Sequence, residues 1–126
     1  SGTPPVLGML PVQDMVSLIA EAGIDAVRAK SVALTEYALT AVDAVLAPRG
    51  VVLASPRDPQ RRGSHITIDH PGSRDVTARL WEQGVIPDYR NPNGIRLGLS
   101  PLSTSFAETW AGIEAVAAGL GATVRP

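Results

Sequence analysis

No cysteine occurs anywhere in the sequence, which at once excludes a disulfide framework, thiolate metal sites and cysteine nucleophiles. Lysine is almost as scarce: Lys30 is the sole lysine among eleven lysines and arginines, so imine-forming chemistry has a single candidate. A net charge of −1 gives no electrostatic reason to expect nucleic acid or an anionic surface as partner. No apolar run approaches the roughly 20 residues that span a bilayer, and no basic-then-apolar leader opens the chain. Neither nucleic acid nor membrane is therefore expected as a partner, and a cytoplasmic address is the default. Methionine is missing from the first position, and Ser1-Gly2-Thr3-Pro4-Pro5 reads as the middle of a loop cut from something longer.

What is present suits one globular domain spanning residues 1–126, with 44% hydrophobic and 18% charged residues, long enough to bury a core without staples. Val12, Met15, Val16 and Ile19 fall at helical spacing over Leu10 to Ala22, with Gly23 as the stop. Asp25 is suited to cap a second helix, whose stripe Val27, Leu34, Ala38, Val42 and Val45 runs to about Leu46. Val51 to Ala54 and the alternating His65 to Asp69 predict two strands, paired antiparallel. Ser73 is placed to cap a helix over Arg74 to Gln83 that buries Val76, Leu80 and Trp81, with Gly84 at its C-terminal stop. A short strand over Val85 to Tyr89, the turn Asn91-Pro92-Asn93-Gly94 and a strand over Ile95 to Leu99 follow. Ser103 or Ser105 then caps a last helix carrying Phe106, Trp110, Ile113 and Val116, stopped by Gly119 or Gly121. The sum is an α/β fold, an α+β sandwich in which a small, mainly antiparallel sheet packs against helices.

Arg96 is the most informative single residue. Alternation puts it on the strand face opposite Ile95 and Leu97, while Gly98 leaves room beside it. A guanidinium fixed on a strand can hold a carboxylate through two parallel hydrogen bonds; spacing alone equally allows a strand arginine paired with a surface acid. His65 and His70 point to opposite faces, which is poor geometry for a shared metal, and no metal site is expected. Asp88 and Arg90 suit a framework ion pair beside the turn. Trp81 and Trp110 stand on apolar helix faces and are most simply core.

The run Asp88-Tyr89-Arg90-Asn91-Pro92-Asn93-Gly94-Ile95-Arg96-Leu97, followed by Ser100-Pro101-Leu102 and Ser105-Phe106, resembles the C-terminal signature of the kynureninases. Arg62-Gly63-Ser64-His65, Ala29-Lys30-Ser31-Val32-Ala33-Leu34-Thr35 and Ser1-Gly2-Thr3-Pro4-Pro5 extend the likeness in the same order over nearly the whole chain. The resemblance implies that Arg96 binds the α-carboxylate of an amino-acid substrate. It also implies that Thr3 lies near the phosphate of pyridoxal 5'-phosphate, reaching the site of a neighbouring subunit. Lys30 does not match the family's cofactor lysine, which lies upstream of the Gly-Thr-Pro loop, so no catalytic residue is expected within these 126 positions. Where many family members carry tyrosine after the Pro-Leu pair, this chain has Ser103.

By the same likeness the complete protein is a homodimeric, pyridoxal-phosphate-dependent hydrolase of fold type I, with a large cofactor-binding domain upstream and this chain as its small C-terminal domain. It would cleave kynurenine or 3-hydroxykynurenine to alanine and an anthranilate, and the fragment alone would be inactive. Two other readings stand beside it: the small domain of another class V enzyme (aminotransferase, desulfurase or epimerase), or a stand-alone binding module without catalysis.

Overall fold

Gly23 both ends the first helix and begins the second. Its φ of 85° is one that a residue without Cβ adopts freely, and its N–H donates to the Ile19 carbonyl at 2.8 Å. The computed structural model describes residues 2–3 and 5–121. Helix α1, Val6–Ala22, meets the helical segment Ile24–Arg49 at 90° across this glycine. Within that segment α2 spans Ile24–Ala41 and runs on through one π turn, Val42–Leu46, and a 3₁₀ turn, Ala47–Arg49. Asp25 sits in the first turn of α2 but does not cap it. No single helix among the described residues is long and apolar enough to cross a membrane; α1 and Ile24–Arg49 satisfy length and composition only as a bent pair.

Strands β1 (Val52–Leu53), β2 (His65–Asp69), β3 (Asp88–Arg90) and β4 (Gly94–Gly98) form one sheet in the order β1-β2-β4-β3, every neighbour antiparallel. Helix α3, Ser73–Glu82, links β2 to β3, and α4, Phe106–Gly121, closes the described chain. The turn between β3 and β4 contains a cis Asn91–Pro92 peptide. The register pairs Ile66 with Leu97 and Ile68 with Ile95, and all four are buried together with Leu34, Val42, Leu46, Val76, Leu80, Ile113 and Val116. Because side chains alternate along a strand, one face of the sheet lies against the helices and carries the core. Among the described residues no helix covers the other face. The result is the expected two-layer α/β sandwich.

Local chemistry fixes the helix ends. Ser105 caps α4, its Oγ accepting from Glu108 N at 3.0 Å while a Glu108 carboxylate oxygen accepts from Ser105 N at 3.2 Å, a reciprocal arrangement that satisfies two otherwise orphaned donors. For α3 the expected serine cap is absent: Gly72 holds the cap position, and His70 Nδ1 accepts from Gly72 N at 2.9 Å. Ser73 is the first helical residue, fully buried, with its Oγ unpartnered among the described residues. Gly119 brings α4 close to α3, where an added Cβ would stand 3.1 Å from Val76 Cγ1.

Two aromatic expectations, Trp81 and Trp110 as core, are corrected. Trp81 is 55% exposed rather than core, because its indole N–H donates to the Pro87 carbonyl at 2.7 Å and holds the ring across the protein surface. Trp110 also remains partly open; beside it on α4, Phe106 meets Tyr37 edge-on with ring centroids 5.4 Å apart. The apolar stripe of α1 is likewise bare, with no residue of that helix buried.

Candidate functional site

The helix-free face of the sheet follows from the register. On it lie His65, Thr67 and Asp69 of β2, Gly94, Arg96 and Gly98 of β4, and Asp88 and Arg90 of β3. Arg96 stands at the centre of this face, paired across to Thr67 on one side and Asp88 on the other. Its side chain is 38% exposed, which leaves the guanidinium reachable while its stem lies along the sheet.

The two glycines beside Arg96 differ. A Cβ at Gly94 would stand 3.0 Å from both the Cβ and the carbonyl oxygen of Arg90, so that side is filled. A Cβ at Gly98 would meet nothing within 4 Å. Of the two glycine sides of Arg96, the open one is therefore over Gly98, next to His65, the exposed cross-strand partner of Gly98. A mainly apolar cleft of about 150 Å³ lies at the same end of β4, lined by Leu97, Gly98, Leu99, Pro87 and residues of α4; Arg96 does not line it.

Asp88 Oδ2 accepts from Arg96 Nη2 at 2.7 Å and pairs with Arg90 Nη2, also at 2.7 Å. The Asp88–Arg90 ion pair expected from the sequence is present, but its carboxylate is shared with Arg96, which sequence reasoning missed. Counting outward from the turn would have found it, because an antiparallel register that sets Arg90 opposite Gly94 must set Asp88 opposite Arg96. All three side chains are a third to a half exposed, and ion pairs so open contribute only about 0–1 kcal/mol to stability. Their consequence is geometric. A guanidinium has five N–H donors, and one of Arg96's is engaged by Asp88, its one partner among the described residues. Two guanidiniums share the one Asp88 carboxylate, and with Asp69 on the same face the charges there balance, so what Arg96 offers a ligand is its unused N–H donors.

Three of the sequence motifs converge beyond the Gly98 end of β4. Ser31 Oγ and Ser64 Oγ share a hydrogen bond of 2.6 Å, Leu99 N donates to the Ser64 carbonyl at 2.8 Å, and Lys30 Nζ donates to the Pro101 carbonyl at 3.4 Å. Arg62 is the buried bolt of this corner. Its Nη1 donates to the carbonyls of Pro56 and Arg57 at 3.0 and 2.8 Å, its Nη2 pairs with Glu36, and the Arg62 carbonyl accepts from Arg28 Nη1 at 3.1 Å. These contacts tie α2, the loop before β2 and the segment after β4 into one frame that holds the end of the Arg96 strand.

Thr3 is exposed and precedes α1; among the described residues no bond joins it to the Arg96 face. The described residues do not by themselves build a site for pyridoxal phosphate. The one lysine is turned to the Pro101 carbonyl from within α2. No group of three or more His, Cys, Asp or Glu side chains suited to a metal occurs among the described residues.

The family model described as kynureninase C-terminal domain matches residues 27–116. The chain belongs to the kynureninase C-terminal domain family. It is 39% identical over 109 residues to a kynureninase of Geobacillus thermodenitrificans, covering 86% of this chain and 26% of that protein. Similar figures hold for kynureninases of Shouchella clausii, 38% over 113 residues (90% of this chain, 26% of the relative), and Pseudomonas fluorescens, 34% over 113 residues (90% and 27%). The chain thus spans about a quarter of the length of the curated relatives it matches.

Proposed function

We propose that residues 1–126 form the small C-terminal domain of a pyridoxal-phosphate-dependent hydrolase that cleaves kynurenine or 3-hydroxykynurenine to alanine and an anthranilate, with Arg96 as the anchor for the substrate's α-carboxylate. The observation that carries the reading is the placement of Arg96. It stands on a bare sheet face, with open space over Gly98 and guanidinium donors left free after its one bond to Asp88. A fork held on a strand keeps a bound amino acid in one orientation, which is how a remote contact speeds chemistry at another atom.

The cofactor belongs, in this reading, to the large domain of the longer polypeptide. This chain contributes the Thr3 hydroxyl toward the phosphate, across the boundary with a second subunit. The bare apolar surface of α1 supports the same view, because a contiguous apolar patch of that kind marks an interaction surface. Lys30 takes no part.

The test is made in the complete protein. Arg96→Ala should cost about 2–5 kcal/mol in kcat/KM for kynurenine, the usual loss when one partner of a desolvated charge pair is removed. Unchanged kinetics would remove Arg96 from the site. The isolated 126-residue chain should neither release anthranilate nor retain pyridoxal phosphate on dialysis; retention through Lys30 would overturn the assignment of the cofactor to the large domain.

A further inference from the structure

We propose that Asp88 is a positioning residue that turns the free edge of the Arg96 guanidinium over Gly98, so that the substrate's carboxylate docks on the Gly98 side rather than the Gly94 side. The proposal rests on the reading of Arg96 as the carboxylate anchor.

Four neighbours surround Arg96 on the open face, and they are not equivalent. Asp88 holds Nη2 at 2.7 Å from the β3 side. Arg90 covers Gly94, so close that an added Cβ there would be 3.0 Å from the Arg90 backbone. Thr67 lies across on β2. Of the two glycine sides, only Gly98 leaves space, with nothing within 4 Å of where a Cβ would stand. An unrestrained arginine side chain samples many rotamers and loses that freedom on binding. Here Asp88 removes part of it beforehand, and Arg90, paired to the same Oδ2 at 2.7 Å, restrains Asp88 in turn. The start of β3 is fixed from behind, because Trp81 Nε1 donates to the carbonyl of Pro87, the residue before Asp88. The chain of contacts therefore runs from an indole on α3 through a carboxylate on β3 to the guanidinium on β4.

The expected signature is a split between binding and turnover. In the complete protein, Asp88→Asn should raise KM for kynurenine about 2–5-fold, the weight of a half-exposed charged pair, with kcat changed much less. Against the carboxamide analogue of kynurenine, which offers no carboxylate, the same variant should behave like the parent. Gly98→Val should also raise KM selectively for the acid, and its melting temperature should match the parent's because the added side chain enters open space. Asp88→Glu, which keeps the charge, should recover part of the loss.

An unchanged KM in Asp88→Asn while Arg96→Ala raises it would overturn the positioning role and leave the anchor standing. So would equal penalties on the acid and the carboxamide, or a silent Gly98→Val. If Arg96→Ala itself leaves KM unmoved, the anchor falls and the role of Asp88 with it.

Discussion

Replacing Arg62 by alanine should destabilise the 126-residue chain by about 2–4 kcal/mol. Its side chain is only 2% exposed, yet it serves three acceptors on two elements: the Pro56 and Arg57 carbonyls in the loop between β1 and β2, and the Glu36 carboxylate on α2. Hydrogen bonds from a charged donor contribute about 1.5–3 kcal/mol each, which sets an upper range of about 3–6 kcal/mol for the two carbonyl bonds. That range must be discounted, because Pro56 and Arg57 are exposed and their carbonyls can be rehydrated once the guanidinium is gone. The ion pair adds little, since Glu36 is 51% exposed and such pairs contribute about 0–1 kcal/mol. Urea unfolding at constant m-value measures the change. Glu36→Gln should then move the midpoint far less than Arg62→Ala. Arg62→Met, which keeps the bulk but no donors, should lie near the alanine variant. Arg62→Ala within about 0.5 kcal/mol of the parent, the level of an ordinary surface substitution, would refute the idea that this side chain bolts the loop to the helix.

Two further perturbations test other parts of the frame. Gly84 follows α3 with φ of 79° and an uncrowded Cβ direction, so Gly84→Ala should cost about 1 kcal/mol through backbone conformation alone, read as a shift in the thermal midpoint. The hydrogen bond from Arg57 holds the exposed Asp43 carboxyl below its usual range, with the guanidinium's charge adding to the effect. Because the folded pKa is the lower one, the associated stability is present above the unfolded carboxylate value, about 3.9. It fades as pH falls through the folded value. Asp43→Asn should therefore narrow its stability gap to the parent on acidification, and about 1 M salt should erase the gap at neutral pH; a gap unchanged by either would contradict the assignment.

Much of the architecture is legible from patterning because local preferences agree with the core. The alternation of His65 to Asp69 and of Ile95 to Leu99 marks the two central strands and puts Arg96 on the correct face, since a strand with one buried face fixes its own register. Gly23 and Gly84 mark helix ends through their positive φ. The failures at the helix faces share one cause. Periodicity reports that a helix face is apolar, not what covers it, so the stripe of α1 and the rings of Trp81 and Trp110 look like core in the sequence although they lie at the surface of this chain. The expected caps of α2 and α3 fail for a different reason: a serine or aspartate near a helix start competes with a glycine turn, and at α3 the His70 imidazole supplies the acceptor. At the candidate site, the identity of Arg96 is visible in the sequence, whereas the sharing of Asp88 between two arginines requires the hairpin register.

The bare surface of α1 has a practical consequence for bench work. Val6, Leu7, Met9, Leu10, Val12 and Val16 are each at least half exposed, so the first helix presents an oily rod to the buffer. A sample of these 126 residues alone should bind hydrophobic dyes in its native state, stick to surfaces and run on gel filtration at a volume that drifts with concentration, all without any loss of the sandwich beneath. Native-state dye uptake is thus a poor gauge of unfolding here, and clipping at the Gly23 joint offers a cleaner particle for measuring the energetics of the remainder.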